Sequence, residues 1–502
     1  MSIADPLSAL KMELQQNSVP QILELLTQAR SAGQPVHEVE LGLWDLLLQV
    51  GRSCLSAFFD SHGTGDLGET VTLPDGQETR RLEGLHSRRY VSIFGAFELR
   101  RTVYGSREGQ ALELVPLDNR LQLPAGVFSY VLQDWDQSLA VEQAFSQVNQ
   151  TIARILKLKQ SVDSLEEMNR QMARDVGEFR DLLGSPPAAE EGEIVVVTSD
   201  CKGIVIRGQG TPTVCGGERP EGQRANQKRM ATVGAVYTVD PYVRTPDEVV
   251  AALFRDPDYE AASRPEPCHK RIWASLPEED PEPRSSIAIV FDWLWWEFAQ
   301  RNPQYKRPTV CICDGQEALW QACAGSIRDE ARVEILDLLH VTPRLWAAAK
   351  LLYGDKGKEV VPFVRQRLTQ ILAGKVDTVI RTLRRLAVEH GLSGAKKKAM
   401  SRICSYLHKN RKRMCYDQYL RAGYPIASGI IEGACRHLIK DRMERAGMHW
   451  TLDGAQAMLD LRSVWIGNQW EAFQEYRIEN ATEHLYPHRK LVASETFFAT
   501  AV

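Results

Sequence analysis

Long apolar runs are absent from this 502-residue chain. No segment approaches the ~18 consecutive apolar residues needed to cross a bilayer. The first residues, Met-Ser-Ile-Ala-Asp-Pro, supply neither the basic start nor the apolar core of a signal peptide. The ten cysteines form no Cys-x-x-Cys pair. We therefore expect reduced, mostly buried thiols in a cytoplasmic protein that has no membrane partner.

Several nucleotide and metal motifs are also missing. The chain has no phosphate-binding P-loop, no Gly-x-Gly-x-x-Gly dinucleotide fingerprint and no His-Glu-x-x-His pair. Nucleotide-driven and zinc-protease functions therefore lack support. A hydrophobic content of 43% and a charged content of 25% are ordinary for a globular protein. At this length two to four domains are expected.

The net charge of −4 conceals a strongly basic segment. Residues 341–425 contain 19 Lys or Arg against 5 Asp or Glu, a net +14, so the remainder of the chain carries −18. A basic segment inside an acidic protein favours a polyanionic partner. The alternative is a solvated helical surface. We favour nucleic acid, because the segment lies between two candidate catalytic acids.

Three acidic residues stand at the ends of regular elements. Asp200 follows the apolar run 194–199, Asp314 follows the run 309–313, and Glu432 lies just inside a helix that starts after residues 423–429. Taken singly, each of these acids is more typical of a turn or of a charge at a helix N-terminus than of a catalytic site. Together, carboxylates at the ends of neighbouring strands predict an acidic basin that suits Mg²⁺. Two such ions about 4 Å apart hold the attacking and leaving oxygens of a phosphodiester.

The sequence around these acids resembles a known family. The segments Val-Thr-Ser-Asp-Cys-Lys-Gly, Cys-Asp-Gly-Gln-Glu-Ala-Leu-Trp and Leu-Asp-Leu-Leu-His-Val begin at positions 197, 313 and 336. They precede Gly-Tyr-Pro-Ile-Ala-Ser-Gly-Ile-Ile-Glu-Gly-Ala-Cys-Arg-His (423–437), within the most specific block, residues 423–450. These motifs, with matching stretches at 86–95 and 116–124, are similar to the ISKra family of DDE transposases from bacterial insertion sequences. The resemblance covers about residues 80–470.

The resemblance implies an RNase H-like, or retroviral-integrase-like, catalytic domain. It assigns Asp200, Asp314 and Glu432 as the catalytic and metal-binding acids, and it places Asp337 and His340 near the active site. The chain departs from the family at Cys201, where a glycine usually follows the first aspartate. That departure affects the turn rather than the carboxylate.

The implied reaction is DNA transposition. The cofactor is Mg²⁺, for which Mn²⁺ can substitute, and the partner is double-stranded DNA at the element ends and the target. A homo-oligomer is expected in the synaptic complex. The expected location is the bacterial cytoplasm, with association with the nucleoid during the reaction. Two alternatives remain open: a metal-dependent nuclease without strand transfer, and a DNA-binding regulator derived from a transposase.

Basic residues in two regions are candidate DNA contacts. Arg436 and Lys440 follow Glu432 at helical spacings of four and eight, so we expect phosphate contacts there rather than simple charge balance for Glu432. His340 is expected either to donate to a phosphate or to orient a carboxylate, unless it is a structural histidine. Two triplets flank a helix predicted at 399–409; they consist of Lys396, Lys397 and Lys398, and of Arg411, Lys412 and Arg413.

The predicted fold is an α/β RNase H-like domain with a mixed five-stranded sheet, flanking helices and a helical insertion, preceded by α-helical and small β regions. Strands are predicted at 194–199, 204–207, 232–238, 309–313 and 333–336. Residues 208–230 are expected to form a long polar connection, and residues 240–285 an exposed excursion. The aromatic segment 288–301 is expected to be a core helix, with base stacking as the alternative.

Seven regions follow from these patterns. A hairpin is predicted at 90–95 and 97–104 with its turn at Gly95-Ala96. Helices at 129–140, 141–156 and 161–183 suggest a helix-turn-helix, with residues 161–174 in the major groove, although any three-helix bundle has the same outline. The regions are a helical amino-terminal region (1–75), a small β region (76–125), a helical region (126–183), a linker (184–192), the catalytic domain (193–340 and 428–470), the basic insertion (341–427) and a carboxyl-terminal tail (471–502).

Overall fold

The computed structural model describes residues 5–105, 113–207, 226–279, 282–445 and 447–492. The chain forms two compact units, Met1–Asp175 with Trp470–Val502, and Val176–Gln469. The division falls before the breaker-rich segment 184–192. Within the described ranges, no helix combines the length and hydrophobicity that crossing a membrane requires.

The first unit begins with helices and continues with short strands. Asp5 caps the first helix, because its carboxylate accepts a hydrogen bond from the Ser8 backbone N–H at 3.0 Å. The strands form a three-stranded sheet in the order β1-β2-β5 and a separate hairpin of β3 and β4. The elements are α1 (Pro6–Glu13), a π-helix (Leu14–Ser18), α2 (Val19–Ala32), α3 (Val36–Ser61), β1 (Thr70–Thr72), β2 (Glu78–Arg81), β3 (His86–Ser92), β4 (Gly95–Arg101), β5 (Tyr104–Gly105), α4 (Pro116–Leu121), α5 (Tyr130–Ala140), α6 (Phe145–Leu156) and α7 (Val162–Ala173).

The hairpin turn lies earlier than the sequence predicts. Ser92 pairs with Gly95, so the turn is Ile93-Phe94 and not Gly95-Ala96. Gly95 instead opens β4 with a φ of 122°, a conformation that favours glycine. A Cβ atom there would lie 2.6 Å from Arg52 Nη1. The glycine therefore serves a close approach by the Arg52 side chain.

The helical region differs from its prediction in one respect. The third helix, expected at 161–183, is wrong as a single element because α7 ends at Ala173 and a new helix begins at Val176 in the second unit. Lys157 ends α6 in the left-handed conformation, and Ser161 caps α7 through the Ser164 N–H. The helices α5, α6 and α7 share a buried core. Contact of α7 with a DNA groove stays a prediction.

A buried acid in this bundle gives a stability prediction. Burial raises the pKa of Asp136 to about 7, and Gln160 donates to its carboxylate at 2.7 Å. The unfolded chain releases this proton near pH 4 and the folded chain near pH 7, so stability falls as pH rises through that interval. Asp136→Asn removes this titration. The change that it causes in the free energy of unfolding should therefore be more favourable at pH 8 than at pH 4 by about 1–3 kcal/mol.

Urea unfolding of the parent and of Asp136→Asn at pH 4, 6 and 8 measures this difference. Asp60→Asn is the matched control, because Asp60 is an exposed carboxylate of the same unit. An Asp136→Asn effect that is equal at all three pH values would contradict the raised pKa.

The second unit is built on a five-stranded mixed sheet in the order β10-β9-β6-β7-β8. The strand β6 pairs antiparallel with β7 and parallel with β9; β7 and β8 are antiparallel, and β9 and β10 are parallel. Its elements are α8 (Val176–Leu182), β6 (Ile194–Arg207), β7 (Asn226–Val239), α9 (Pro246–Phe254), β8 (Cys268–Ser275), α10 (Ser286–Arg301), β9 (Thr309–Cys313), α11 (Glu317–Ser326), β10 (Val333–Leu336), α12 (Leu338–Tyr353), α13 (Val360–Leu372), α14 (Val376–Glu389), α15 (Gly394–Asn410), α16 (Tyr416–Arg421), α17 (Gly429–Ala434), a π-helix (Cys435–Lys440), α18 (Asp441–Met443) and α19 (Leu452–Ile466).

Two strand predictions need correction. The runs 194–199 and 204–207 are one continuous strand, β6, which pairs with β7 along its whole length. The edge strand β8 was missed, because it lies in the region expected to be an exposed excursion. Most of the polar connection predicted at 208–230 lies outside the described residues, and β7 begins at Asn226.

Helices cover both faces of this sheet. The aromatic helix α10 packs on β7, where a Cβ atom on Gly234 would lie 2.6 Å from Val290. Phe291 and Phe298 are buried, as expected for a core helix. On the other face, α12 to α16 share one apolar core with β6 and β9, including Val196, Ile312 and other residues. The basic segment is therefore packed against the sheet.

The carboxyl-terminal residues that were expected to be a tail form helices of the first unit. They are α20 (Trp470–Leu485) and α21 (Arg489–Val492). The indole N–H of Trp470 donates to Asp134 at 2.7 Å, and the Tyr486 hydroxyl donates to the Leu123 carbonyl. The first contact anchors α20 to α5, and the second anchors the residue after α20 to the segment between α4 and α5.

Candidate metal centre and nucleic-acid site

The parallel pairing of β6 with β9 sets two acids side by side. The register runs from Val195 opposite Thr309 to Ser199 opposite Cys313. Asp200 and Asp314 are the next residues on the two strands. Asp200 does not end its strand as predicted, because β6 continues in antiparallel pairing with β7. It does mark the point where pairing with β9 ends.

The Asp200 carboxylate is held by its neighbours. The Cys201 N–H donates to Oδ1 at 2.7 Å, and the Cys435 thiol lies 3.6 Å from Oδ2. Burial raises the pKa of Asp200, and the nearby Asp314 carboxylate raises it further; the Cys201 hydrogen bond and His340 oppose that shift. Burial and the Asp314 charge thus make the ionised form of Asp200 less stable than it would be in water. A bound cation would supply a counter-charge.

Glu432 approaches Asp200 from a helix. Ser428 caps α17, since its hydroxyl accepts a hydrogen bond from the Ile431 N–H at 3.4 Å. The Glu432 carboxylate, about half exposed, lies 3.2 Å from Nε2 of His340. Asp200, His340 and Glu432 each place a potential ligand atom within 4.8 Å of the others. Residues 232 positions apart in sequence therefore converge.

Asp337 joins the elements that carry these groups. It caps α12 by accepting from the Leu339 N–H at 2.8 Å, and its second oxygen accepts from the Ser428 N–H at 3.2 Å. The Ser428 hydroxyl in turn accepts from Thr198 of β6 at 2.9 Å. Burial raises the pKa of Asp337 to about 6. The network fixes α12, α17 and β6 relative to one another.

The donor set fits a divalent cation. Carboxylate oxygens suit Mg²⁺, whereas the imidazole nitrogen of His340 suits Mn²⁺ and other transition metals better. Asp314 is not one of the three closest groups, although its charge acts on Asp200. With Mg²⁺, His340 fits better as a residue that orients Glu432 than as a ligand.

Two of the predicted DNA-contact residues lie on the short helix that follows Glu432. Arg436 and Lys440 belong to the π-helix after α17, and both are exposed. Nε of Arg436 lies 3.7 Å from Asp441. Such π-helical turns occur often at functional sites. Their shared exposure leaves both cations accessible to a phosphate.

The two basic triplets also differ from each other. Lys396, Lys397 and Lys398 lie in the first turns of α15, inside the helix that they were expected to flank, and they are exposed. Arg411 and Lys412 are exposed as well, within a short 3₁₀ turn. Arg413 is engaged internally, because its Nε lies 2.7 Å from Glu334 and its guanidinium covers the Trp320 ring.

Several contacts of the site were not foreseen from the sequence. The thiol of Cys435, the hydroxyl of Ser428 and the hydroxyl of Thr198 all act on the acids or on their helices. The only sequence signal was the Ala-Ser-Gly step before Glu432, which resembles a helix cap. Contacts between residues more than 200 positions apart leave no local pattern.

Comparisons with known proteins give little further information. No model of a protein family matches the chain, and no curated protein matches it. Among solved structures, the chain is similar to the Drosophila P element transposase strand transfer complex, with a TM-score of 0.23 and 10% sequence identity. The match covers 73% of this chain and 85% of that chain. The function must therefore be inferred from the site itself.

Proposed function

We propose that this chain is a DDE-type DNA transposase whose second unit is an RNase H-like catalytic domain. The strand order supports this proposal: three antiparallel strands come first in sequence, and two parallel strands are then added beside the first of them, with Asp200 and Asp314 at the point where the pairing of β6 with β9 ends. The motifs that resemble ISKra transposases supply the same acids. Asp200 and Asp314 follow the last parallel pair, and Glu432 comes close to Asp200 from α17.

The convergence of Asp200 and Glu432 with His340 carries the proposal. A carboxylate pair of purely structural use would be expected to have arginine or lysine partners, as Glu191 has in Arg301. Neither Asp200 nor Glu432 makes an ion pair with Lys or Arg among the described residues. The acids therefore form a basin that accepts cations.

The chain's own residues would hold the ions and keep the site rigid. Asp200, Asp314 and Glu432 would bind Mg²⁺, with Mn²⁺ as a substitute. When bound, such ions activate a water or a 3′-hydroxyl and stabilise the departing 3′-oxygen. His340 would orient the Glu432 carboxylate. Asp337 and Ser428 would maintain the distance between the helices.

One site of this kind serves both cutting and joining, because both steps are in-line displacements at phosphorus. The substrate would be double-stranded DNA at the element ends and the target, bound by a homo-oligomer. A nuclease without strand transfer is the alternative within enzymes. The alternative that is not an enzyme is a DNA-binding regulator, and the retention of all three acids argues against it.

A strand-transfer assay tests the proposal. Purified protein, Mg²⁺, a labelled duplex carrying the element's end and a supercoiled target plasmid should yield covalently joined product. Cleavage of the labelled duplex without joining would replace the transposase by the nuclease. Binding without cleavage in either Mg²⁺ or Mn²⁺ would leave the regulator.

Loss of the α17 cap should affect the reaction through Glu432. In Ser428→Ala the Ile431 N–H and the Thr198 hydroxyl lose their partner. We expect the cleavage rate at saturating DNA to fall about 10- to 100-fold through misplacement of Glu432. The free energy of unfolding should fall by only about 1 kcal/mol.

Ser463→Ala is the matched control for this variant. Ser463 is also a buried serine, but it lies inside α19, where its hydroxyl donates to the Leu459 carbonyl at 2.8 Å. Rapid-quench cleavage assays and urea unfolding of both variants separate positioning from stability. Equal cleavage by Ser428→Ala and the parent would remove Ser428 from the site.

A further inference from the structure

Arg344 lies one helical turn after His340 on α12, so both side chains project from the same face of that helix. Its guanidinium carbon stands 3.5 Å above the centre of the Tyr406 ring. Arg344 is half-buried, and its Nε is inaccessible to solvent and makes no hydrogen bond. Among the described residues, no carboxylate lies within ion-pair distance of this arginine.

The ring beneath Arg344 packs directly on the backbone beside Asp314. A Cβ atom on Gly315 would lie 2.3 Å from Cε2 of Tyr406. Burial raises the pKa of Tyr406, and Asp314 and Asp337 raise it further, while Arg344 opposes the shift. The arginine, the phenol ring and the two acids are therefore within electrostatic reach of each other.

Half-buried arginines of the second unit are not all paired with a carboxylate. Arg271 pairs with Glu297, whereas Arg367, like Arg344, lies over an aromatic ring and has no carboxylate within ion-pair distance among the described residues. Arg344 differs in its position, because the ring that carries it packs on the backbone beside Asp314. A planar guanidinium held in this way suits an incoming phosphate.

We infer that Arg344 is a phosphate-binding residue of the candidate site and that Tyr406 is its positioning residue. The inference rests on the proposed function, since the anion would be a DNA phosphate next to the bond that is cut. The metal-binding acids alone would repel that phosphate. Arg344 places one fixed positive charge where the DNA backbone enters the basin.

Neutral methylphosphonate linkages test the contact directly. Each duplex carries one methylphosphonate in place of a phosphate, at successive positions around the cut, and dissociation constants are measured in Ca²⁺. On the all-phosphate duplex, Arg344→Gln should weaken binding about 10- to 100-fold. At one position, the methylphosphonate should weaken binding by the parent as much as Arg344→Gln does. On that same duplex, Arg344→Gln should bind no more weakly than it binds the all-phosphate duplex, because the contact is already lost.

Matched variants separate this contact from a structural role. Arg367 likewise lies over an aromatic ring, Phe363, at 5.0 Å and has a buried Nε without a hydrogen bond. Arg367→Gln should bind every duplex as the parent does. Tyr406→Phe keeps the ring and should retain the position-specific coupling, whereas Tyr406→Ala should lose it. Thermal unfolding followed by circular dichroism checks that each variant is folded.

The outcomes are distinct. The inference is overturned if Arg344→Gln binds the all-phosphate duplex as the parent does. It is also overturned if Arg344→Gln weakens binding by the same factor whichever position carries the methylphosphonate. If the parent also cuts DNA in Mg²⁺, the proposed function survives that result. Position-specific coupling in a parent that never cuts DNA supports the phosphate contact and overturns the transposase. A parent that binds no duplex overturns both.

Discussion

Asp200→Asn, Asp314→Asn and Glu432→Gln should each lower the rate of DNA cleavage in Mg²⁺ by about 10³-fold or more, since a bound metal supplies several kcal/mol of transition-state stabilisation. Each substitution keeps the shape of the side chain and removes one negative charge from the basin. Binding of duplex DNA should be retained, because phosphate contacts elsewhere supply most of the affinity. Cleavage rates and dissociation constants, measured in Mg²⁺ and in Ca²⁺, separate these effects.

Exposed acids of the same unit are the controls for this prediction. Glu389 pairs with Arg385 on the surface of α14, and Asp453 lies exposed in the first turn of α19. Glu389→Gln and Asp453→Asn should cut DNA as the parent does. Retained cutting in any of the three site variants would remove that residue from the catalytic group. Asp314→Asn is the most informative, because Asp314 lies outside the closest trio.

The number of strands could be predicted from the sequence, and so could β7, β9 and β10, but the continuity of β6 and the existence of β8 could not. The residues Asp200 to Gly203 have the composition of a turn, and they predict a break. The structure keeps them in β6 because fourteen consecutive residues pair with β7. Tertiary pairing overrides local propensity here. The strand β8 follows Pro265 and Pro267 in an acidic segment, and it forms because it pairs with β7 at the sheet edge.

The approach of Asp200, His340 and Glu432 to one another was easier to predict than the contacts of the residues around them. Asp200 and Asp314 follow apolar runs, and the ends of parallel strands lie together in any open sheet. Glu432 required the family resemblance, because its distance in sequence gives no geometric information. Asp337 and His340 came from the same resemblance. The Thr198–Ser428–Asp337 network and the Arg344–Tyr406 pair exist only in the folded chain.

The second large effect is expected for the basic surface of the insertion. Replacing Lys396, Lys397, Lys398, Arg411 and Lys412 with Ala removes five exposed charges. If all five contact phosphates, the slope of log K against log salt should fall by about 4.5, at about 0.9 per contact. Between 50 and 200 mM salt, the parent would then lose about 500-fold more affinity than the variant. Preference for element ends over random DNA should change little, because phosphate contacts do not read sequence.

Arg413 belongs to the second basic triplet in sequence, but it is not part of this exposed surface. The sequence groups it with Arg411 and Lys412, and six equal contacts would predict a slope change of about 5. Its ion pair with Glu334 and its contact with Trp320 are internal, so Arg413→Ala alone should leave the slope unchanged and lower stability instead. Titrations with end and random duplexes across a salt series measure both. If the five-residue variant kept the parental slope, α15 and its 3₁₀ turn would be a solvated surface, and DNA would follow another path across the second unit.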